Sequence, residues 1–499
     1  MDPINTAMLI FWPAIFAFLL FTFRKNKKAA QWANMVFHLP WFWFLYQSCL
    51  LWRSSTADGM FPIVFNSDFF PLLKSNFALG LDGLNLPLIG LNVFLSFCLS
   101  LYALGKEKLS SSYLALFALL NAASVGSLMA ADAFVFYIFW EAMLIPMFFL
   151  IGIWGSKNRV YAALKFFAFT MLGSLAMLAA ILYLWVQPDI QSMGWHSIAQ
   201  LGLLGDGLWS PRFWVFCGFL IAFLVKIPAW PLHVWLPDAH TEAPTGASVI
   251  LAGVLLKLGV YGIARWCLAL FPSIAVLDVV SFTMKVLALA GIILGSYGAL
   301  RQTDIKRTIA YSSVAHLGFM LLGLFSFQLA GFQGAMFQNI AHGLSTGALF
   351  LIFGIIYDRT HTRELSDYGG LGIVNPRLSM LFVLSVMASI GLPGLPGFIG
   401  EFLILNGTFV LSPWFAFFAC FGILLGAVYM LRIVRGMIYG ETSSVLKSHP
   451  IKLSFSEWGS IIPMIIAMIV LGFWGQGLIA VTARASATII YNLQGEILR

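Results

Sequence analysis

The sequence predicts an all-α polytopic membrane protein of about fourteen transmembrane helices, two of them broken and set in an inverted repeat. Composition is the first reason: the 499 residues are 60% hydrophobic and only 10% charged, with a mean hydropathy of +0.91, far outside the range of soluble domains. Apolar runs of about 20 residues, each long enough to cross the hydrocarbon layer, recur from end to end. Finally, two proline motifs interrupt such runs at matching offsets.

Taken in order, the spans begin near Ile4, Trp32, Leu84, Tyr113, Ala133, Ala162, Phe213, Thr245, Ile274, Ile305, Leu329, Leu378, Pro413 and Glu457. The backbone in lipid must satisfy its own hydrogen bonds, so runs of this length are helices. The first, Ile4 to Phe23, lacks the basic region and small-residue cleavage site of a signal peptide and is read as a retained span. Arg24, Lys25, Lys27 and Lys28 follow span one, Lys106 and Lys108 span three, Lys157 and Arg159 span five, and Arg301, Lys306 and Arg307 span nine. Arg359 and Arg363 follow span eleven; Arg435, Lys447 and Lys452 follow span thirteen. The alternate loops carry Asp58, Asp68, Asp132, Asp189 and Asp206 with few cations. The positive-inside rule then puts both termini on the non-cytoplasmic side. One inner loop breaks the pattern, with Asp238, His240 and Glu242 where cations are expected.

Arg212 opens span seven and is followed 16 residues later by Pro228-Ala229-Trp230-Pro231; Arg377 opens span twelve and is followed at the same interval by Pro393-Gly394-Leu395-Pro396. Proline lacks the N–H that bonds four residues back, so the carbonyls of Leu224, Ile227, Ser389 and Leu392 are expected to lose their partners. Span seven runs inward and span twelve outward, so the copies are inverted, as in secondary transporters whose sites lie at broken helices. The expected units are residues 1–110 (spans one to three), 111–271 (first repeat, spans four to eight), 272–440 (second repeat, spans nine to thirteen) and 441–499 (a last span).

Four ionisable residues fall inside these runs: Glu141, Lys226, Lys257 and Glu401. A charge at mid-bilayer depth costs about 2.5–3.5 kcal/mol on insertion scales, so each needs a partner, a hydrated cavity or a function, and the default reading is a proton or ion path. Lys226 lies about 20 Å into its span, Lys257 about 18 Å and Glu141 about 13 Å, at 1.5 Å per residue. Bland readings stand beside the functional one: a lysine tying down a freed carbonyl, an Arg-paired structural carboxylate at 141, a helix-end contact at 401.

Histidines are the next candidates. Ser312 and His316 share one helix face, as do Gln338, His342 and Thr346. Imidazole titrates nearest neutral pH and passes a proton through either nitrogen, although a buried histidine equally serves as a packed hydrogen-bonding residue. His233 lies just past the first break; His240 either lines an intake funnel or caps span eight beside Thr245.

Other classes find little support. The net charge of +8 is spread over short loops and forms no basic face for nucleic acid. Cys49, Cys98, Cys217, Cys267 and Cys420 are isolated, with no zinc or iron–sulfur spacing, so no metal, cluster or disulfide is expected in the chain. The Gly391 to Gly400 run lacks the strand-then-helix context of a nucleotide loop.

On these residues the chain resembles subunit M, the chain 4 family, of proton-translocating NADH:quinone oxidoreductase (respiratory complex I). The resemblance is carried by Val225-Lys226-Ile227-Pro228, Pro231-Leu232-His233, Trp235-Leu236-Pro237-Asp238-Ala239-His240, Glu242-Ala243-Pro244 and Lys257. Phe139-Trp140-Glu141, Asp304-Ile305-Lys306-Arg307 with Ala310-Tyr311-Ser312-Ser313, Ala341-His342, and Gly391-Leu392-Pro393 through Gly400-Glu401-Phe402 add to it.

It implies a fourteen-helix fold with Glu141, Lys226, Lys257 and Glu401 as a proton relay, and a glutamate at 401 rather than the lysine more typical of its sibling subunits. It further implies a bacterial cytoplasmic (inner) membrane and neighbouring antiporter-like subunits L and N. NADH, FMN, iron–sulfur clusters and quinone would belong to partner subunits, with no cofactor in this chain. Glu141 near Lys226 would hold the ammonium charged; its departure would favour the neutral amine and release a proton towards Lys257, the histidines and Glu401. The rivals are a cation/proton antiporter subunit, a quinone-reducing subunit and the membrane subunit of a hydrogenase-type complex.

Overall fold

The computed structural model describes residues 3–54, 61–106, 109–199 and 207–498; Asp58, Lys108 and Asp206 of the loop-charge pattern lie outside the described residues. Among the described residues, ten helices are long and apolar enough to cross a membrane by length and composition. Helix starts follow local chemistry. The Asp132 carboxylate accepts from the amides of Phe134 and Val135, the Ser210 hydroxyl from Phe213, and the Asp304 carboxylate from Arg307, each satisfying amides that the first turn leaves free. Ser454 and Glu457 form a reciprocal capping box. Prolines open the helices Pro211–Lys226, Pro376–Ile390, Pro396–Leu411 and Pro413–Ile438, where their missing N–H costs nothing.

Burial tells which helices form the centre. The most apolar window of Thr245–Leu268 is 100% buried and that of Leu329–Thr360 94%, against 33% for Pro413–Ile438 and for Phe455–Trp474. The first two therefore face protein on all sides, while the outer helices turn large apolar side chains such as Trp414 and Phe473 outward. Leu329–Thr360 packs most extensively on Pro396–Leu411. Glycine permits the close approach: a Cβ on Gly407 would lie 2.3 Å from the Gly331 nitrogen, and one on Gly400 2.4 Å from Gln338 Oε1.

Both proline motifs break their helices. Pro211–Lys226 ends two residues before Pro228, and a short 3-10 turn, Leu232–Trp235, begins after Pro231. Pro376–Ile390 ends before Pro393, and Pro396 opens the helix that follows. The carbonyls are not all orphaned, contrary to expectation: Ala229 N donates to Leu224 O at 2.9 Å and Leu395 N to Leu392 O at 3.0 Å, because the chain turns back on itself within each break. Two further irregularities lie outside these motifs, the first of them just before Pro146, which withholds an N–H from the Ala142 carbonyl. A turn at Met143 separates Ala133–Ala142 from Leu144–Trp154. Wide π-helical segments, Leu251–Leu255 and Ile263–Leu268, lie on either side of the α-helical Leu256–Gly262.

The all-α expectation needs one correction. Strands Ile63–Phe70 and Ser75–Gly80 form an antiparallel hairpin, pairing Phe65 with Leu79 and Ser67 with Phe77, in a stretch expected to be loop. The hairpin is tied down by Ser75 Oγ donating to Asp132 Oδ1 at 2.7 Å and by Lys74 Nζ donating to the Ile190 carbonyl at 2.7 Å. The C-terminal segment, expected to hold one span, holds one helix long and apolar enough to cross, Phe455–Trp474, and a second long helix, Gln476–Ile497. The second lies across the bundle end: its Val481 carbonyl sits against Gly83, and Gln494 Nε2 donates to the Phe327 carbonyl at 3.1 Å.

Candidate functional site

The two central helices, the helix Ile305–Leu324 and the helix after the second break bring four of the singled-out side chains into one line. Lys257 Nζ meets His342 Nδ1 at 2.5 Å. The His342 and His316 rings lie 5.2 Å apart, centroid to centroid, at 55°. His316 Nδ1 is 2.9 Å from Glu401 Oε1, which also accepts from Gln338 Nε2 at 3.3 Å. Ser389 Oγ, at the end of the helix before the second break, is 3.4 Å from His316 Nε2. All four members are at least nine-tenths buried: Lys257 1%, His342 1%, His316 7% and Glu401 4% exposed.

Hydrogen-bond chemistry restricts their protonation. An ammonium only donates, so the Lys257–His342 contact joins either a charged lysine to a neutral imidazole or a neutral amine to an N–H of the ring, with one proton shared. At the other end an N–H on His316 Nδ1 donates to the Glu401 carboxylate. The Ser312 hydroxyl, expected on the same face as His316, bonds its own helix at the Ile309 carbonyl, 2.7 Å away.

The first-half pair is arranged differently. Lys226 is the last residue of its helix, and its ammonium lies 4.9 Å from the Trp140 ring centroid. Glu141, beside the Met143 turn, has Ser174 and Lys226 as its polar neighbours. Yet Lys226 Nζ and Glu141 Oε1 have no hydrogen-bond partner, and no ion pair within 4.0 Å joins them. Lys226 thus stands at the first helix break, Lys257 between the two wide segments, and Glu141 beside a turn, so each charge sits where backbone regularity fails.

At the end of the bundle that carries the basic loops, a cavity of about 510 Å³ is lined by Tyr102, Ser156, Glu242, Lys306, Asp358 and neighbours. Lys306, 4% exposed, donates to the Ala243 carbonyl. Behind it His240, 0% exposed, stacks on Phe350 at 4.6 Å and 10°, with Lys306 and Lys257 as its charged neighbours and no partner for either ring nitrogen. His240 does not cap span eight, whose cap position is Pro244. Around the mouth Arg363 pairs with Asp304 at 3.1 Å and Glu242 at 3.5 Å. Burial pushes the Asp304 carboxyl up, against the Arg307 amide and the Arg363 charge.

His233 stays apart from the line: it faces the Tyr311 ring at 6.0 Å and lies near Lys165, which pairs with Asp238 at 2.6 Å. At the opposite end of span eight, buried Arg265 pairs with Asp82 and lies over the Phe61 ring at 4.2 Å. Among the described residues, no three His, Cys, Asp or Glu side chains gather as a metal site. Sequence reasoning passed over Lys306 as a site residue because it reads as one of the loop cations. Its signal was spacing, since Lys306, Ser313 and His316 recur at seven and ten residues on one helical face.

Residues 130–426 match the family model described as "NADH:quinone oxidoreductase/Mrp antiporter, TM". NADH-quinone oxidoreductase subunit M of Rickettsia prowazekii is 38% identical over 480 residues, covering 95% of this chain and 96% of the relative. That of Rhodobacter capsulatus is 38% identical over 433 residues, covering 85% and 84%. Among solved structures, a chain of respiratory complex I from Thermus thermophilus with bound NADH superposes with a TM-score of 0.85 at 30% identity, covering 97% of this chain and 99% of that one. The chain therefore belongs to the NADH-quinone oxidoreductase subunit M family, within the wider NADH:quinone oxidoreductase/Mrp antiporter group.

Proposed function

We propose that this chain moves protons across the membrane as the subunit M component of an NADH:quinone oxidoreductase, driven by electron transfer in other subunits. The observation that carries the reading is the buried line Lys257–His342–His316–Glu401, in which the outer contacts are 2.5 and 2.9 Å and the two rings 5.2 Å apart. A proton crosses hydrogen bonds of ordinary length directly, and the step between the packed rings needs a ring rotation or a water at their free edges. Protons enter from the 510 Å³ cavity through Lys306 and His240. Lys226, without a hydrogen-bond partner and facing Glu141, is the movable charge: bringing the carboxylate closer favours the ammonium, and withdrawing it favours release.

In this reading the helices make about fourteen crossings, with residues 111–271 and 272–440 as inverted halves, 1–110 and 441–499 flanking them, and both termini on the non-cytoplasmic side. Energy arrives by contact with other membrane subunits, with the antiporter-like L and N on either side. NADH, FMN, iron–sulfur clusters and quinone act elsewhere in the complex.

The test is NADH-driven pumping by the assembled complex. Lys226→Ala abolishes or sharply reduces it, and Glu141→Gln impairs it while Glu141→Asp retains part. An unchanged proton-to-electron stoichiometry in Lys226→Ala sinks the relay.

A further inference from the structure

Several cations at the basic-loop end of the bundle are paired. Lys106 meets Asp358 and Glu457, Arg307 meets Asp238, Arg359 meets Glu457, and Arg363 meets Asp304 and Glu242. Arg301, Arg432 and Arg435 differ: all three are exposed, and among the described residues no carboxylate lies within 4.0 Å of any of them. Neutral groups hold two of them instead. Arg301 lies over the Tyr297 ring at 5.7 Å, and Arg432 Nη1 donates to the Leu300 carbonyl at 2.6 Å. That bond sets Arg432, on Pro413–Ile438, beside the end of Asp278–Arg301. The Arg435 side chain has neither an ion pair nor a hydrogen bond among the described residues.

Arg432 and Arg435 line an open hollow of about 460 Å³ together with Leu365, Tyr368, Gly436 and Tyr439. Its one carboxylate is Glu441. With Arg301 beside it, the hollow therefore carries three cations against one anion, a net charge of +2. The Tyr368 hydroxyl is engaged by Thr360 and by the Thr362 carbonyl, which leaves the guanidinium groups as the charged donors facing the hollow. Their planar forks match the oxygens of a phosphate.

Towards the middle of the membrane the same helix is apolar on this side. Phe417, Phe421, Leu424, Val428 and Leu431 are exposed and follow one another at steps of three and four residues, and the same steps lead on to Arg435 and Tyr439. From Phe421 to Leu431 the stripe covers about 15 Å at 1.5 Å per residue, half of a hydrocarbon core roughly 30 Å thick. Tyr297 and Tyr439 are exposed beside the arginines, as aromatic side chains are at headgroup depth. A partner helix on the stripe would leave the guanidiniums without an anion, and a free phosphate on the guanidiniums would leave the stripe bare. An anion that carries a long apolar tail satisfies both.

We propose that this face binds an anionic phospholipid from the leaflet on the basic-loop side. Arg432 and Arg435 hold its phosphate, Arg301 adds charge beside them, and an acyl chain lies along Leu431, Val428, Leu424 and Phe421. The site is separate from the buried line, so it stands or falls independently of the relay.

The test uses the assembled complex in phosphatidylcholine vesicles that contain a trace of phosphatidylglycerol with a photoactivatable group on its acyl chain. Cross-linked peptides are then mapped. Adducts are expected on residues 417–439, and unlabelled phosphatidylglycerol should suppress them at least about tenfold more effectively than additional phosphatidylcholine, the order expected for two surface arginines. The double variant Arg432→Gln/Arg435→Gln should lower the yield on this face by a similar factor and leave adducts elsewhere on the chain unchanged. If that variant does not assemble, the competition in the unaltered complex decides alone. Equal suppression by the two lipids means ordinary solvating lipid and overturns the site. Absence of adducts on this face means that a neighbouring subunit covers it, and overturns the site as well. Inorganic phosphate that competes as strongly as phosphatidylglycerol at matched phosphate concentration identifies a free-anion site and refutes the lipid.

Discussion

His316 is the link between His342 and Glu401 in the line, packing on the one ring and bonding the carboxylate of the other. Replacing it with leucine fills the ring's place without a nitrogen. No direct bond then joins His342 to Glu401, because His342 Nδ1 is engaged by Lys257 and Nε2 has no hydrogen-bond partner. The leucine side chain also occupies the volume that a bridging water would need. We expect NADH-driven proton pumping per electron to fall at least about tenfold, equivalent to about 1.4 kcal/mol in the barrier.

The carboxylate loses one of its two bonds and keeps the longer one, from Gln338 at 3.3 Å. Stability should therefore drop by about 1–3 kcal/mol, the cost of an unmet buried polar group. His316→Gln separates the effects, since its amide restores a donor to Glu401 but cannot titrate. The assay is pumping into proteoliposomes beside the rate of NADH oxidation, with thermal unfolding of the complex as the stability measure. His316→Leu complexes that assemble and keep the parental proton-to-electron ratio would refute the reasoning.

Two further outcomes follow from packing and charge. Gly400→Ala places a Cβ 2.4 Å from Gln338 Oε1 and 2.9 Å from its Cα, so the helices must part, at a cost of about 1–3 kcal/mol; an unchanged melting temperature of the complex would mean the pair has slack. Asp82→Ala leaves the fully buried Arg265 guanidinium unpaired, costing about 3–5 kcal/mol. Subunit levels in membranes should fall and recover in Asp82→Ala/Arg265→Met; equal levels in both variants count against the pair as a fold determinant.

Helices, breaks and the four charges within apolar runs were legible because each is a local contrast: a charge within an apolar run, or a proline where a helix should continue. Glu401 and Lys257 could be singled out that way, but not their meeting through His342 and His316, which depends on how two helices cross. The wide turns around Lys257 leave no period in the sequence, since a π segment uses the same residues as an α-helix. Lys306 looked like a loop cation because Arg307 stands beside it, and only tertiary packing buries the one and leaves the other half-buried against Asp238. The hairpin went unseen because the surrounding hydropathy hid an alternation as short as that of Ser75–Gly80. His233 could be placed at the break and His240 in the acidic loop, but not what they meet there: one faces a tyrosine and the other stacks on a phenylalanine in the interior.

The two wide turns of Thr245–Leu268 uncouple a residue's bearing from its count along the chain. In an unbroken α-helix one added residue rotates everything after it by about 100°. A π segment takes up the added residue in its own girth, so the helix beyond resumes its former bearing. Spacing between Thr245 and Lys257 is thus no guide to which way the lysine points, and relatives differing by one residue there can still present an amine to the same imidazole. The second bulge also frees main-chain oxygen for outside partners: the Arg265 carbonyl accepts from Trp195 Nε1 at 3.1 Å, a cross-link that a regular helix would have spent on itself.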